Sequence, residues 1–512
     1  MKIYKKCLSL IPKNKRGDGI WMRCVLCSDS EQPYIFSKLD KMKHLGLLMM
    51  AYASAMISCL PVQAQKVEWV STTESAPWVK EKRMVCDKHA TANAVVVRLD
   101  DVHQTMMGFG GCFNEMGWDA LKLLPENEQA KVMRRLFAPD EANFSLNRFP
   151  IGASDYANDF YSLDDSVGDF AMRHFSIERD MHTLIPYIHQ AQLYQPTMRF
   201  FASPWCPPAW MKTNGNYASL PSARFNNLPP EGQSVTGTTG FKMLKGYLEA
   251  YALYFEKFLK AYGEQGIHVG DLHVQNEVIA EQIFPSCIWE PQDLALFIGD
   301  YLGPRLEHSC PSVHIWFSTL NVGDPDYMRR ALSNAKAAHY IYGMGFQWDG
   351  KKAIGTIRNE FPSLHLMQTE NECGGGENNW TSALHTWGLL KHYISSGAEA
   401  YAYWNFILPT PGTSHWGWVQ NSMVTIDTHT HAVVFTPEYY VMRHFSHYIK
   451  PGAVLVTLNG YDDALAFKNP DGSVIVVMAN QGDAPQAVQL TVGDKVVKLT
   501  LKAKSFNTIK VG

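Results

Sequence analysis

The chain has 512 residues, 19% of them charged, a formal net charge of −3, a 12% aromatic share and 14 Trp. That length buries an ample core and accommodates one large domain beside a smaller one. The negative balance, which deepens to −9 once residues 1–64 are set aside, gives the chain no reason to seek nucleic acid or an anionic membrane surface, while the aromatic content suits either a large core or the stacking faces of a sugar-binding cleft.

The amino end reads as an address rather than as structure. Lys41-Met-Lys-His44 precedes an apolar run over 45–60, and Pro61-Val-Gln-Ala-Gln65 follows it. Basic start, apolar middle and small residues at Val62 and Ala64 form the pattern of a secretory signal with cleavage near Ala64. Residues 1–41 are basic and irregular, so Met42 is the expected start, with a long basic n-region as the alternative. The apolar stretch is too short, and too soon followed by Pro, for a spanning helix, and the mature chain is expected to have no integral membrane segment. Export implies a secreted or periplasmic protein; Met56-Ile-Ser-Cys59 weakly resembles an acylation box, which leaves a lipoprotein anchored at Cys59 as the alternative. Removing 1–64 takes away ten Lys/Arg and four Asp/Glu and moves the formal charge to −9. Six Cys then remain, at 86, 112, 206, 287, 310 and 373, without zinc-ligand spacing.

Residues 65–104, with the β-branched run 94–99, read as the first strands of a β-sandwich. From 105 to 436 short apolar runs alternate with stretches of helical spacing. The strand spans are 105–111, 145–152, 197–205, 270–277, 314–321, 340–348, 365–372 and 400–406. Eight strands alternating with helices predict an α/β fold, a (β/α)8 TIM barrel. Helices are expected over 118–137, 241–262 and 381–395, the second carrying one apolar face through Leu244, Leu248, Tyr251, Phe255, Leu259 and Tyr262. From 437 to 512 short strands joined by turns such as Asn469-Pro-Asp-Gly472 predict the C-terminal part of the side sandwich, built from both termini.

Glu277 closes the fourth span and Glu370 falls in the seventh. Both then sit at the carboxyl-terminal rim, where barrel enzymes keep their active sites. Two carboxylates there suit hydrolysis of a glycosidic bond: one stays protonated to give its proton to the leaving oxygen, and the other stays ionised to face the developing charge on the sugar. Asn276, beside Glu277, is suited to donate to a sugar 2-hydroxyl. The stiff run Ser203-Pro-Trp-Cys-Pro-Pro-Ala-Trp-Met-Lys-Thr-Asn-Gly215 follows the third strand and could set Trp205 or Trp210 as a wall. Arg148 and Asp155 lie beside apolar runs; they either contact hydroxyls and orient a carboxylate or pair with one another. Glu372 and Glu377 follow Glu370 closely and compete for its role, and strand alternation puts 370 and 372 on one face.

These runs together resemble glycoside hydrolase family 30, and within it the glucosylceramidase group. The matching segments are Gly108-Phe-Gly-Gly111, Arg148-x-Pro-x-Gly-x-Ser-Asp155, the 203–215 run, Asn276-Glu277, Thr369-Glu370 and Trp404-Asn405, in order over some 300 residues. The resemblance implies a retaining β-glycosidase with Glu277 as acid/base and Glu370 as nucleophile. It implies that Asp155, Trp205, Asn276 and Trp404 line the subsite for the non-reducing sugar, and that no metal or organic cofactor takes part. Two departures stand out. Val278 occupies the position where relatives often have Pro, and Gly345-Phe-Gln-Trp-Asp349 replaces a loop with His and Tyr, which puts Gln347 and Trp348 near the nucleophile.

The implied partner is a carbohydrate or glycoconjugate substrate, with a β-glucoside such as glucosylceramide first. An endo-β-1,6-glucanase, a β-xylosidase or a β-fucosidase is the alternative within the family. A binding protein that has lost catalysis should lack one of the two carboxylates, and this chain has both. The 19 His show no ligand spacing for a metal-dependent hydrolase.

Overall fold

The computed structural model describes residues 67–82, 84–87 and 94–512. The signal-like segment, Met42, Cys59 and the cleavage position at Ala64 lie outside the described residues. Among those described, no helix is long and apolar enough to cross a membrane, and Cys112, Cys206, Cys287, Cys310 and Cys373 are free thiols.

Eight parallel strands close into a barrel: β1 Gly108–Cys112, β2 Leu146–Pro150, β3 Arg199–Ser203, β4 Val269–His273, β5 His314–Leu320, β6 Ile341–Gln347, β7 His365–Glu370 and β8 Ala400–Asn405. Each overlaps one of the spans read as a strand. Their residues are almost wholly buried, as expected when helices cover one face and the barrel interior takes the other. Residues two apart share a face, and the interior changes character over that distance. Leu146, Phe201, Trp316, Met367, Ala400 and Ala402 form a separate apolar cluster low in the barrel. One pleat higher stand Arg148, Ser203, Ser318, Thr369 and Trp404. Strand β6 contributes Gly343 and Gly345 here for lack of room: a Cβ would come within 2.5 Å of the Trp316 ring at Gly343 and of Thr369 Cγ2 at Gly345.

The helices depart from expectation in two places. The span 118–137 divides into Glu115–Lys122 and Glu126–Phe137, because Pro125 between them cannot continue an α-helix. The long helix begins at Lys245, with Phe241 instead paired to Lys212 in an isolated bridge. The third runs Trp380–Ser395.

Ten strands from both ends of the chain form the side sandwich, in one hydrogen-bonded order. Val67–Thr73 pairs antiparallel with Ser505–Val511, and Val95–Thr105 lies between Val454–Asn459 and Gln486–Val492. Trp69, Val97, Val456, Val476, Met478, Leu490 and Ile509 are among the residues of its core. The segment between barrel and sandwich is helical, Pro437–Ser446. Phe445 packs on Phe109 of β1 at a ring separation of 5.8 Å, while the buried imidazole of His444 lies 2.9 Å from Thr72 Oγ1 and 2.8 Å from Thr508 Oγ1. One ring thus ties the barrel's last helix to strands from both ends of the chain.

Burial pushes the His444 imidazole down to about 3. Below pH 6.5 the unfolded chain takes up a proton there that the folded chain refuses, so this group subtracts stability as pH falls from about 6.5 toward 3. The slope is about 1.4 kcal/mol per pH unit. Urea denaturation at pH 7 and pH 5 is expected to show His444→Gln losing less stability between the two than the parent chain.

Candidate active site

A cavity of about 220 Å³ opens at the carboxyl-terminal end of the barrel, lined by Asp155, Trp205, Asn276, Glu277, Gln282, Phe284, Asn321, Trp348, Glu370, Trp418 and Gln420. A larger groove of about 740 Å³ lies along Arg358, Glu399 and Leu455. Its wall carries a single carboxylate, Glu399, ion-paired to Arg358, so it offers no acid and base facing a common space.

Glu277 reaches the cavity from an irregular continuation of β4. Asn276 bridges Thr319 of β5, its N–H donates to Pro204 O at 2.8 Å, and the Glu277 N–H donates to Thr319 O at 3.0 Å. These bonds hold Glu277 at a φ of 50°, a left-handed conformation that an ordinary residue keeps only when its surroundings enforce it. Trp348, just past β6, has a φ of 47°. Both outliers face the same cavity.

Glu370 ends β7. Its Oε2 accepts from Arg148 Nη1 at 2.8 Å and its Oε1 from Trp348 Nε1 at 3.3 Å. Arg148, fully buried on β2, also donates to Ser203 Oγ at 2.8 Å, Asn276 Oδ1 at 2.6 Å and Thr369 O at 3.2 Å. Its guanidinium carbon stands 4.5 Å from the Trp205 ring centroid and 5.3 Å from that of Trp404, a cation over two aromatic faces. The two indoles stack on each other at 5.0 Å.

The two glutamates therefore differ in surroundings. Burial, with the Glu370 charge adding to it, pushes Glu277 up to about 8. Glu370 is raised by the same burial, but Arg148 and the Trp348 N–H oppose that shift by favouring its ionised form. Asp155 is held well above the usual carboxylate range by burial and by both glutamates. Its Oδ1 is buried without a protein partner.

Of the residues singled out from sequence, Glu277, Glu370, Asp155, Trp205, Asn276 and Trp348 all line the cavity. Arg148 and Trp404 are fully buried and stand behind its wall. Among the described residues no ion pair joins Arg148 to Asp155; the partner of Arg148 is Glu370. Trp210 is a structural residue, donating to Asp164 O at 3.0 Å and packing on Phe170 and Tyr247. Strand β7 ends at Glu370, so alternation does not extend to Glu372. That carboxylate pairs with Lys351 and with His385, which hold it below the usual range although burial acts the other way. Glu377 is exposed and caps Gly375 N–H.

Sequence reading missed the wall contributed by Gln282, Phe284, Asn321, Trp418 and Gln420. The run His415-Trp-Gly-Trp418 after β8 has the same aromatic and Gly loop chemistry as 203–215 and was the available signal. Phe284 sits 6.3 Å from Trp418, edge to face.

Residues 106–449 match the model of the glycosyl hydrolase family 30 TIM-barrel domain, and 452–509 that of the family 30 beta sandwich domain. The chain belongs to glycosyl hydrolase family 30. It is a glycoside hydrolase, and a carbohydrate is its substrate. A Caenorhabditis elegans protein with glucosylceramidase in its name is 30% identical over 405 residues, 74% of each chain. An Aspergillus fumigatus protein named endo-1,6-beta-D-glucanase neg1 is 28% identical over 400 residues, 74% of this chain and 78% of that one. The crystal structure of SrfJ from Salmonella typhimurium shares the fold, with a TM-score of 0.77 at 24% identity over 87% of this chain and 99% of that one.

Arg148→Met is expected to cost about 3–5 kcal/mol of folding stability, because it leaves the buried Glu370 carboxylate without its cation. Guanidinium denaturation monitored by Trp fluorescence checks this, and Glu370→Gln in the same background should recover part of the loss.

Proposed function

We propose that this chain is an exported retaining β-glycosidase that removes a terminal β-linked glucose by double displacement. The observation that carries the reading is the unequal treatment of two carboxylates in one cavity. Among the described residues Glu277 forms no ion pair, and burial pushes it up to about 8 although Arg148 acts the other way, whereas Glu370 is ion-paired with Arg148.

In the first step the Glu370 carboxylate attacks the anomeric carbon, the bond to the leaving oxygen breaks, and Glu277 gives that oxygen its proton. In the second, Glu277 takes a proton from water, the water oxygen bonds to the anomeric carbon, and Glu370 departs as carboxylate. Asp155 Oδ1 is a buried polar atom suited to a sugar hydroxyl, and Trp205 offers an aromatic wall. The volume of about 220 Å³ falls below the roughly 300–1,000 Å³ that holds a drug-sized ligand, which suits one sugar ring. The glucosylceramidase name of the Caenorhabditis elegans relative supports a glucosyl conjugate, and the signal-like segment before Gln65 supports export.

A second reading is an endo-acting β-1,6-glucanase. It is favoured by the name of the Aspergillus fumigatus relative and by Trp418, which is 42% exposed at the cavity rim and presents a face to a second sugar. Turnover of aryl β-glucoside, β-xyloside and β-fucoside, set beside β-1,6-glucan, distinguishes these readings. Glucan cleavage without aryl glucoside hydrolysis would exclude the first.

Glu370→Gly is expected to lose turnover by a factor of about 10⁴ or more, as removal of a nucleophile does, and to regain part of it with azide. Retained turnover in Glu370→Gly together with its loss in Glu372→Gln would reverse the assignment. The acid must be protonated to act, so kcat/KM is expected to fall as pH rises through about 8, a limb that Glu277→Gln abolishes.

A further inference from the structure

Gln347 ends β6 with its side chain fully buried between the two glutamates. Its Nε2 donates to Glu277 Oε1 at 3.0 Å and to Asn276 Oδ1 at 3.3 Å. Its Oε1 accepts from Thr369 Oγ1 at 2.8 Å and lies 3.5 Å from Arg148 Nη1. The amide has one workable orientation. Turned over, it would aim its NH₂ at a guanidinium that has only donors, and leave oxygen facing oxygen at Glu277 and Asn276. Asn276 Oδ1 is fixed as an acceptor by Arg148 Nη2 at 2.6 Å and Thr319 Oγ1 at 2.7 Å.

We infer that Gln347 is a positioning residue for proton transfer: by donating to Oε1 of Glu277 it reserves Oε2 for the proton that goes to the leaving oxygen. The inference rests on Glu277 being the acid/base. An amide suits the task in both half-reactions. It does not titrate, so it keeps the same bond when Glu277 is a carboxylic acid and when it is a carboxylate. The charged and titratable groups facing Glu277 are then Glu370, Asp155 and Arg148, and the strand that packs against it from β6 adds none. Because the bond favours the ionised form of Glu277, its removal moves the acid limb toward higher pH.

The consequence depends on the leaving group. A phenol of ordinary basicity needs the proton as its bond breaks, whereas dinitrophenolate leaves without it. Gln347→Met keeps length and burial but has no donor. It is expected to lower kcat/KM about tenfold on the phenyl β-glycoside, within the 10²- to 10⁴-fold that a general acid supplies. The loss on the 2,4-dinitrophenyl glycoside should be several-fold smaller, and the alkaline limb should shift upward. Gln347→Glu serves as the second variant; its added negative charge should shift the limb further in the same direction. Equal losses on both glycosides with an unmoved limb in either folded variant would overturn the inference and leave Gln347 as packing. Undiminished hydrolysis of the phenyl glycoside by Glu277→Gln would instead overturn the acid/base reading, whatever Gln347 does.

Discussion

Among the described residues the guanidinium of Arg148 is the cation that acts on the carboxylates of the cavity, and four strands close around it. It sits on β2, bonds Ser203 on β3, Asn276 beyond β4, and the Thr369 carbonyl and Glu370 carboxylate on β7. Taking such a charge out of water costs several kcal/mol unless every donor is satisfied and an anion lies close. The barrel supplies both. Trp205 and Trp404 add their π faces on one side, so the ion lies in a frame that is rigid and dry. Electrostatic differences between nearby carboxylates are large in such a place because little water is present to screen them.

From that charge follows the difference in surroundings among the carboxylates of the cavity. Glu370 and Asp155 are buried and Glu277 is half-buried, and each would be raised by desolvation alone. Arg148 contacts one of them. Glu370 is thereby favoured as an anion, Glu277 retains its proton to about pH 8, and Asp155 is pushed up by both neighbours. Three like acids acquire different states because one cation is placed asymmetrically among them. The left-handed backbone at Glu277 and Trp348 belongs to the same arrangement. Each lies one residue beyond a strand or bridge, where the side chain must turn inward over the barrel, and each is held by bonds to neighbouring strands.

Below this polar layer the barrel is apolar, and that foundation matters to the site. Leu146, Phe201, Trp316 and Met367 fill the interior one pleat beneath Arg148 and its partners. The close fit of Trp316 against Gly343, and of Thr369 against Gly345, leaves little freedom for the strands to slide. The sandwich braces the barrel from the side through Pro437–Ser446, where His444 joins strands contributed by both ends of the chain. Family 30 membership extends across barrel and sandwich alike.

Much of this was legible in the linear pattern. Continuous apolar runs alternating with helical spacing predict eight strands, since strands buried on both faces have no polar side to show, and all eight appear. Local chemistry also marked the cavity residues that lie next to strand ends: Asn276-Glu277, Thr369-Glu370, Ser203-Pro-Trp205. The Thr369-Glu370 match favoured Glu370, but strand alternation could not separate it from Glu372, because alternation holds only while a strand continues, and the end of β7 at Glu370 is set by its pairing with β6. Nor could sequence alone say whether Arg148 faced Asp155 or Glu370, 7 or 222 residues away along the chain. The placement of Gln347 against Glu277 and the rim formed by Trp418 and Phe284 were likewise decided by closure of the barrel. The residue types and their local spacing determined which groups could do this chemistry. Only tertiary structure determined which carboxylate received the cation, because that depends on distances across the barrel that no spacing along the chain encodes.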